Sequence, residues 1–172
     1  MFKKTIINIF LIVIFMAAMT AVTLPFSARV KVNTARKLTR SGMLEEAERA
    51  YEEALVLAPM SSDYWVEYGD FLWDISVETD SDRLWEKTGP AYRRATQLNP
   101  NRARCWVNRG HVAFADGEID KAIGHFRHAK TLDPNGGDTA FYLRKAGLKL
   151  LEEDAGYYDV VVELTGETQL KP

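Results

Sequence analysis

Between Ala103 and Gly136 the chain reads ARCWVNRGHVAFADGEIDKAIGHFRHAKTLDPNG, with small and bulky apolar residues at helical spacing on both sides of one turn. With Ala103 as position 1, Trp106, Gly110 and Ala113 fall at 4, 8 and 11, and Ala122, Phe126 and Ala129 at 20, 24 and 27. Steps of three and four put each set on one face of a helix. Asp116-Gly117 supplies the turn between the two helices. Asp133-Pro134 ends the second, because proline has no amide proton to continue it. Gly110 lies one turn after Trp106 and leaves room for a close neighbour, so Trp106 is expected to be largely buried beside it. A hairpin of 34 residues cannot cover its own apolar face, and this one requires siblings.

The siblings are present. From Ala28 to Ser61, Ala35, Leu38, Ala47, Tyr51, Ala54 and Pro59 stand in phase, with Lys31 in the aromatic slot. From Ser62, Trp65, Tyr68, Gly69 and Leu72 open a second copy that Tyr92, Ala95 and Pro100 close, with seven additional residues between the halves. A further helix over 138–153 carries Phe141, Leu143 and Leu148. This pattern resembles the tetratricopeptide repeat (TPR) family, from which only Arg109, where the family usually has Leu, departs in the core of the third copy. The resemblance implies an all-α, right-handed solenoid of helix–turn–helix units. Three repeats, over 28–61, 62–102 and 103–136, would precede a degenerate capping helix, the whole forming a domain over 26–156.

Pro90 falls at position 22 of the second copy, inside what should be its second helix. Either that helix starts near Gly89, or Leu84–Lys87 forms a separate turn; Trp85 is expected to pack in both cases. In the tail, 157–172, Tyr157, Val160, Val161 and Leu164 suit a short closing helix by spacing and a strand by β-branching. The helix is preferred, with 166–172 frayed.

The side-chain inventory argues against chemistry. A single cysteine, Cys105, excludes an internal disulfide and a zinc cluster, and its place beside Trp106 suits a small buried hydrophobe. His125 and His128 have ligand spacing but no third ligand, and are assigned to a solvated face. His111 has no Ser or Cys in phase. No catalytic residue, cofactor or metal is therefore assigned. Asp63, Glu67, Asp70, Asp74, Glu78, Asp80 and Asp82 run without a base, and Arg83 to Arg109 is basic save for Glu86. Successive helices thus carry opposite charge, while a net of −2 over the chain speaks against nucleic acid as a partner.

Resemblance to the family implies a protein or peptide partner in a groove lined by positions 2, 5, 9 and 12 of each first helix. Position 5 reads Val32, Val66, Val107 and Phe141, an apolar strip if exposed and core if not. Position 9 reads Arg36, Asp70, His111 and Lys145, expected to supply polar recognition. Arg104 adds position 2, and Trp73 and Phe114 add position 12. At its reference pKa, His111 would change charge between about pH 5 and 8. Some members clamp a terminal carboxylate with Lys and Asn where Val32 and Arg36 stand, so that clamp is not expected.

The first 25 residues are distinct. Lys3 and Lys4 precede Thr5–Leu24, 20 residues without a charge, which as a helix would reach about 30 Å, the thickness of a bilayer core. Ala21-Val22-Thr23 is a poor cleavage site, so an uncleaved anchor is preferred over a removed signal. The lysines favour a cytoplasmic N-terminus and an exported repeat domain, although Arg29, Lys31, Arg36, Lys37 and Arg40 after the span argue the other way. The resulting expectation is a single-pass TPR adaptor in envelope assembly. A cleaved periplasmic protein and a permanent subunit of a membrane complex are the alternatives. Carbonate extraction should leave the protein in the pellet with its N-terminus at residue 1 or 2; a soluble chain starting near Leu24 would refute the anchor.

Overall fold

Three helix hairpins turn on residues with positive φ. Gly42 (φ 73°) and Gly117 (φ 76°) occupy the left-handed region at no steric cost, and Asp80 (φ 52°) does the same work without glycine. In each case the next amide reaches back to the last helical turn: Met43 N to Leu38 O at 3.0 Å, Ser81 N to Ser76 O at 3.1 Å and Glu118 N to Ala113 O at 2.8 Å. Those bonds satisfy carbonyls that a helix end leaves open.

In this computed structural model, residues 2–135 and 137–168 are described, with backbone alone for 2–11, 13, 16–22, 137 and 138. They form α1 (Phe2–Arg40), α2 (Leu44–Leu57), α3 (Ser62–Thr79), α4 (Asp82–Leu98), α5 (Ala103–Ala115), α6 (Ile119–Leu132) and α7 (Gly137–Glu153). A 3-10 turn (Ala155–Tyr157) then leads into α8 (Tyr158–Thr165), and no strand occurs among the described residues. The helices group into two compact units, Met1–Tyr64 and Trp65–Pro172.

In the first unit α1 and α2 form a hairpin with small side chains along the buried stripes. Ala28, Val32 and Ala35 are buried on α1, and Ala47, Ala50, Tyr51 and Ala54 on α2. Lys31, in the degenerate aromatic slot, instead pairs with Glu53 across the hairpin. Pro25 lies within α1 without ending it. Most side chains of the expected anchor Thr5–Leu24 lie outside the described residues. Among those described, no helix is long and apolar enough to cross a membrane.

In the second unit, packing rests on aromatic rings seated on glycine. A Cβ on Gly110 would stand 2.3 Å from the Phe126 ring, and one on Gly69 would stand 2.6 Å from the Tyr92 ring. Both rings are buried, and each fills the place on the facing helix where a side chain would begin. Gly147 makes a similar approach to Val161, at 2.6 Å, between α7 and α8. Phe126 lies in a core with Ala103, Val107, Ala122, Leu143 and Leu164, and Val161 in an adjoining one with Ile123 and Leu150. Gly110 is therefore filled by Phe126 rather than Trp106. Trp106 is half-buried; its Nε1 donates to the Pro100 carbonyl at 2.7 Å and its ring meets those of His128 (4.2 Å) and His125 (5.5 Å). His128 is exposed, as a solvated face requires, while His125 is half-buried against the tryptophan.

The seven extra residues make no loop. They lengthen both helices of the second hairpin, α3 to 18 and α4 to 17 residues, against 13 and 14 in α5 and α6. Pro90 is accommodated inside α4 instead of delaying its start. Gly89 before it has no Cβ to meet the proline ring, and Pro90 is exposed, where water can serve the carbonyl left without a donor. Trp85, in the lengthened part, packs against Trp73 with ring centres 5.2 Å apart and planes tilted by 52°.

The tail ends in a docked helix, with Val161 and Leu164 buried. Arg127 on α6 grips Glu163 with two nitrogens, at 2.8 and 2.6 Å. The expected fraying of 166–172 does not extend to 166–168, because Tyr158 Oη donates to the Thr168 carbonyl at 2.6 Å and Arg144 pairs with Glu167 at 3.1 Å. Residues 169–172 lie outside those described.

The glycine–ring contact gives a quantitative test. Phe126→Ala should cost about 3–5 kcal/mol through the cavity it leaves, and Gly110→Ala about 1–3 kcal/mol or more through overpacking. Combining Gly110→Ala with Phe126→Leu should cost less than the two separate losses added, because the smaller side chain yields space to the new methyl group. Urea midpoints of the unsubstituted chain, Gly110→Ala, Phe126→Leu and their combination measure the coupling, and strict additivity would mean that the two sites do not touch.

Candidate functional site

Asp70 is the fixed point of the second unit's open cleft. Tyr92 Oη donates to its Oδ1 at 2.8 Å, Asn108 Nδ2 donates to the same oxygen at 3.0 Å, and Arg104 Nη2 donates to Oδ2 at 2.7 Å. One carboxylate on α3 therefore holds side chains from α4 and α5. Tyr92 reaches it because Gly69 lets the ring come close enough for the hydroxyl to pass into the cleft. Burial raises the Asp70 pKa, against the opposing pull of Arg104, Tyr92 and Asn108. Burial, followed by the charge of Asp70, pushes the Tyr92 phenol far up, so it stays a donor.

Above this floor lies a cleft of about 290 Å³, walled by Trp73, His111 and Tyr142 and flanked by Asp74, Lys145 and Lys149. His111 sits among rings, 6.3 Å from Trp73, 5.5 Å from Phe126 and 6.4 Å from Tyr142. Its pKa is lowered to about 4, by burial first and then by Lys149 and Lys145. It is therefore neutral across the range in which an ordinary imidazole would switch, which corrects the expectation of a charge change near neutrality. Arg104 lies 6.0 Å over the Tyr142 ring while bonded to Asp70. Asp74 is raised by burial and by the charges of Asp70 and Glu78, with Lys145 opposing.

Of the residues implicated by sequence, Asp70, Trp73, Arg104, His111 and Lys145 come together in this cleft. The position-5 strip does not. Val66 and Val107 are 2% and 0% exposed in the cores, and Val32 is 1% exposed in the first unit. These three valines hold the fold and offer nothing to a partner. Phe114 is half-buried against both adjoining cores. Phe141 is 64% exposed, meeting Tyr142 edge-on at 5.5 Å, and stands outside the lining. Arg36 is exposed in the first unit, its Nη1 donating to Asn33 at 3.1 Å.

Sequence reasoning missed Asp74, Tyr92, Asn108, Tyr142 and Lys149. A helical signal for most of them exists. The cleft takes Asp70, Trp73 and Asp74 from α3, Arg104, Asn108 and His111 from α5, and Tyr142, Lys145 and Lys149 from α7, each set at steps of three, four or one. On α5 that stripe lies one residue beyond buried Val107, a rotation of about 100°. Among the described residues, no group of three or more His, Cys, Asp or Glu is placed to hold a metal ion.

Titration follows from these environments. The unfolded chain binds a proton at His111 below about pH 6.5 that the folded chain refuses until about pH 4. Stability should therefore fall as pH drops through that window and stay level above it, as far as this residue is concerned. His125, also lowered to about 4 by burial, Arg109 and Lys121, acts in the same sense. The loss of melting temperature on going from neutral to acidic buffer should shrink in His111→Gln and shrink again when His125→Gln is added. An undiminished loss in the double variant would place the sensitivity elsewhere.

A family model described as tetratricopeptide repeat matches residues 90–137. No curated protein matches the sequence. Among solved structures, the chain is similar to MamA, at 21% identity and a TM-score of 0.63, over 81% of this chain and 75% of that one. It is similar to the TPR domain of Arabidopsis OM64 at 14% identity and a TM-score of 0.58, over 71% of this chain and 95% of that one. The first TPR of Spaghetti (RPAP3), solved bound to the HSP90 peptide SRMEEVD, is 18% identical with a TM-score of 0.58, over 73% and 94% of the two chains. These likenesses show an all-helical, TPR-like fold for this chain, within which the tetratricopeptide repeat model covers residues 90–137.

Proposed function

We propose that this chain is a protein-binding adaptor that takes an extended segment of a partner in the cleft over Asp70. The observation that carries this reading is the division of labour in the cleft. Its acidic floor is satisfied internally by Tyr92, Asn108 and Arg104, while half-buried rings and the exposed Lys145 and Lys149 are left to face a ligand. Rings supply area and lysines supply register, the combination that peptide recognition uses. A peptide-bound TPR domain among the similar structures supports the same reading.

In its fuller form the proposal places the adaptor on a membrane through Thr5–Leu24, with the repeats on the extracytoplasmic side and a role in envelope assembly. This rests on the uncharged 20-residue stretch and the lysines before it. α1 runs without a break from that stretch into the first hairpin, so no linker would separate anchor from repeats.

A photo-crosslinking residue at Lys145, in the full chain in its native membranes, should give a discrete adduct that the same residue at exposed Arg49 does not. Trp73→Ala with Lys149→Glu should reduce that adduct at least tenfold without loss of helicity. An adduct indifferent to these changes would place the partner surface elsewhere.

A further inference from the structure

A second groove, of about 550 Å³, runs along α4 and α5 to the start of α6 and shares only Tyr92 with the first cleft. One end is closed by Trp85, whose Nε1 donates to Asp116 Oδ1 at 3.0 Å. Arg93 from α4 and Arg109 from α5 both line the space. Arg109 is half-buried, its guanidinium carbon 5.1 Å from the centre of the Trp106 ring, so it cannot swing away freely.

The lining carries three acids, Glu86, Asp116 and Glu118, and three strong bases, Arg93, Arg109 and Lys121, but they are unevenly paired. Asp116 is engaged by Trp85, and Glu118 holds Lys121 at 2.7 Å. His125 carries no charge near neutrality. Arg93 and Arg109 are left facing the groove, and neither side chain has an ion pair or hydrogen bond among the described residues. Burial, and after it the charge of Arg93, lowers the Arg109 pKa. Glu86, on the rim four residues before Pro90, also keeps a backbone carbonyl without its helical donor, because Pro90 has no N–H.

We propose that this groove docks an acidic side chain of a protein partner, its carboxylate lying between Arg93 and Arg109. Two guanidinium forks match a carboxylate, and the Glu86 carbonyl can accept a backbone N–H of the segment that carries it. The rim carboxylates Glu86, Asp116 and Glu118 would repel an extended polyanion, so the groove suits one acidic residue rather than a nucleic acid or a lipid surface. This site is independent of the cleft over Asp70, and either can fail without the other.

The probes are N-acetylglutamate α-amide, its glutamine counterpart as a neutral control, and inorganic phosphate, titrated into the full chain in detergent micelles. The readout is the nitrogen chemical shift of the arginine side chains. The glutamate probe should shift Arg93 and Arg109 saturably, the neutral one should not, and R93Q or R109L should weaken the response at least tenfold. Because Arg93 is exposed, R93Q leaves the core intact, which guards against a folding defect in R109L. R104Q, in the other cleft, should leave the response unchanged. A non-saturating shift, or one that survives R93Q, overturns the site. Phosphate binding tighter than the carboxylate overturns the assignment to an acidic side chain and points to a phosphorylated partner.

Discussion

The second unit depends on the absence of two side chains. Where Gly69 and Gly110 face Tyr92 and Phe126, a single methyl group would stand inside the ring's van der Waals envelope. Everything placed around these contacts inherits their spacing. Tyr92 delivers its hydroxyl to Asp70 from there, and Asp70 in turn orients Arg104 and Asn108. The polar floor of the cleft is thus set by an apolar contact on the other side of the same ring. Phe126, in the equivalent place one hairpin later, has no hydroxyl and no such network; it meets His111 instead, at 5.5 Å.

Much of this was legible in the residues. Glycine at position 8 and an aromatic at position 24 recur because a close approach needs both partners, and the pairing survives the inserted residues between Gly69 and Tyr92. The phase of the cleft was harder. Val107 and Asn108 are neighbours in the chain, yet one is core and the other bonds Asp70, and only the neighbouring helix decides which side is which. Trp106 misled for a related reason: a large ring one turn from a glycine on the same helix cannot fill it, since the filler must come from another helix. Pro90 breaks helices in general, and it is tolerated in α4 because Gly89 precedes it and its own face is exposed. His111 has an ordinary sequence context; the rings and lysines that hold it neutral come from α3, α6 and α7.

Charge alternation along the chain is used in two different ways. Acidic α3 meets basic α5 through Asp70 and Arg104, a pair bonded at 2.7 Å and supported by two further donors. The same basic stretch leaves the side chains of Arg93 and Arg109 without an ion pair, while Glu118 holds Lys121 and Asp116 accepts from the Trp85 indole. Opposite charges are therefore bonded to each other in one groove and partly unpaired in the other.

The lengthened second hairpin has a geometric consequence. Seven residues are close to two turns of helix, and α3 and α4 share them as roughly one turn each. Residues added to the outgoing arm rotate the faces that follow, and residues added to the returning arm complete that rotation to nearly whole turns. Tyr92, Ala95 and Pro100 consequently come back on the same bearing as Phe126, Ala129 and Pro134 in the unextended hairpin. The hairpin has grown like a drawn-out telescope section: its tip, closed by Trp73 on Trp85, moves outward while the base keeps its fit. An insertion of three or five residues at the same tip would return the chain with Tyr92 turned from Gly69, so the permitted lengths of this hairpin come in steps rather than as a continuum.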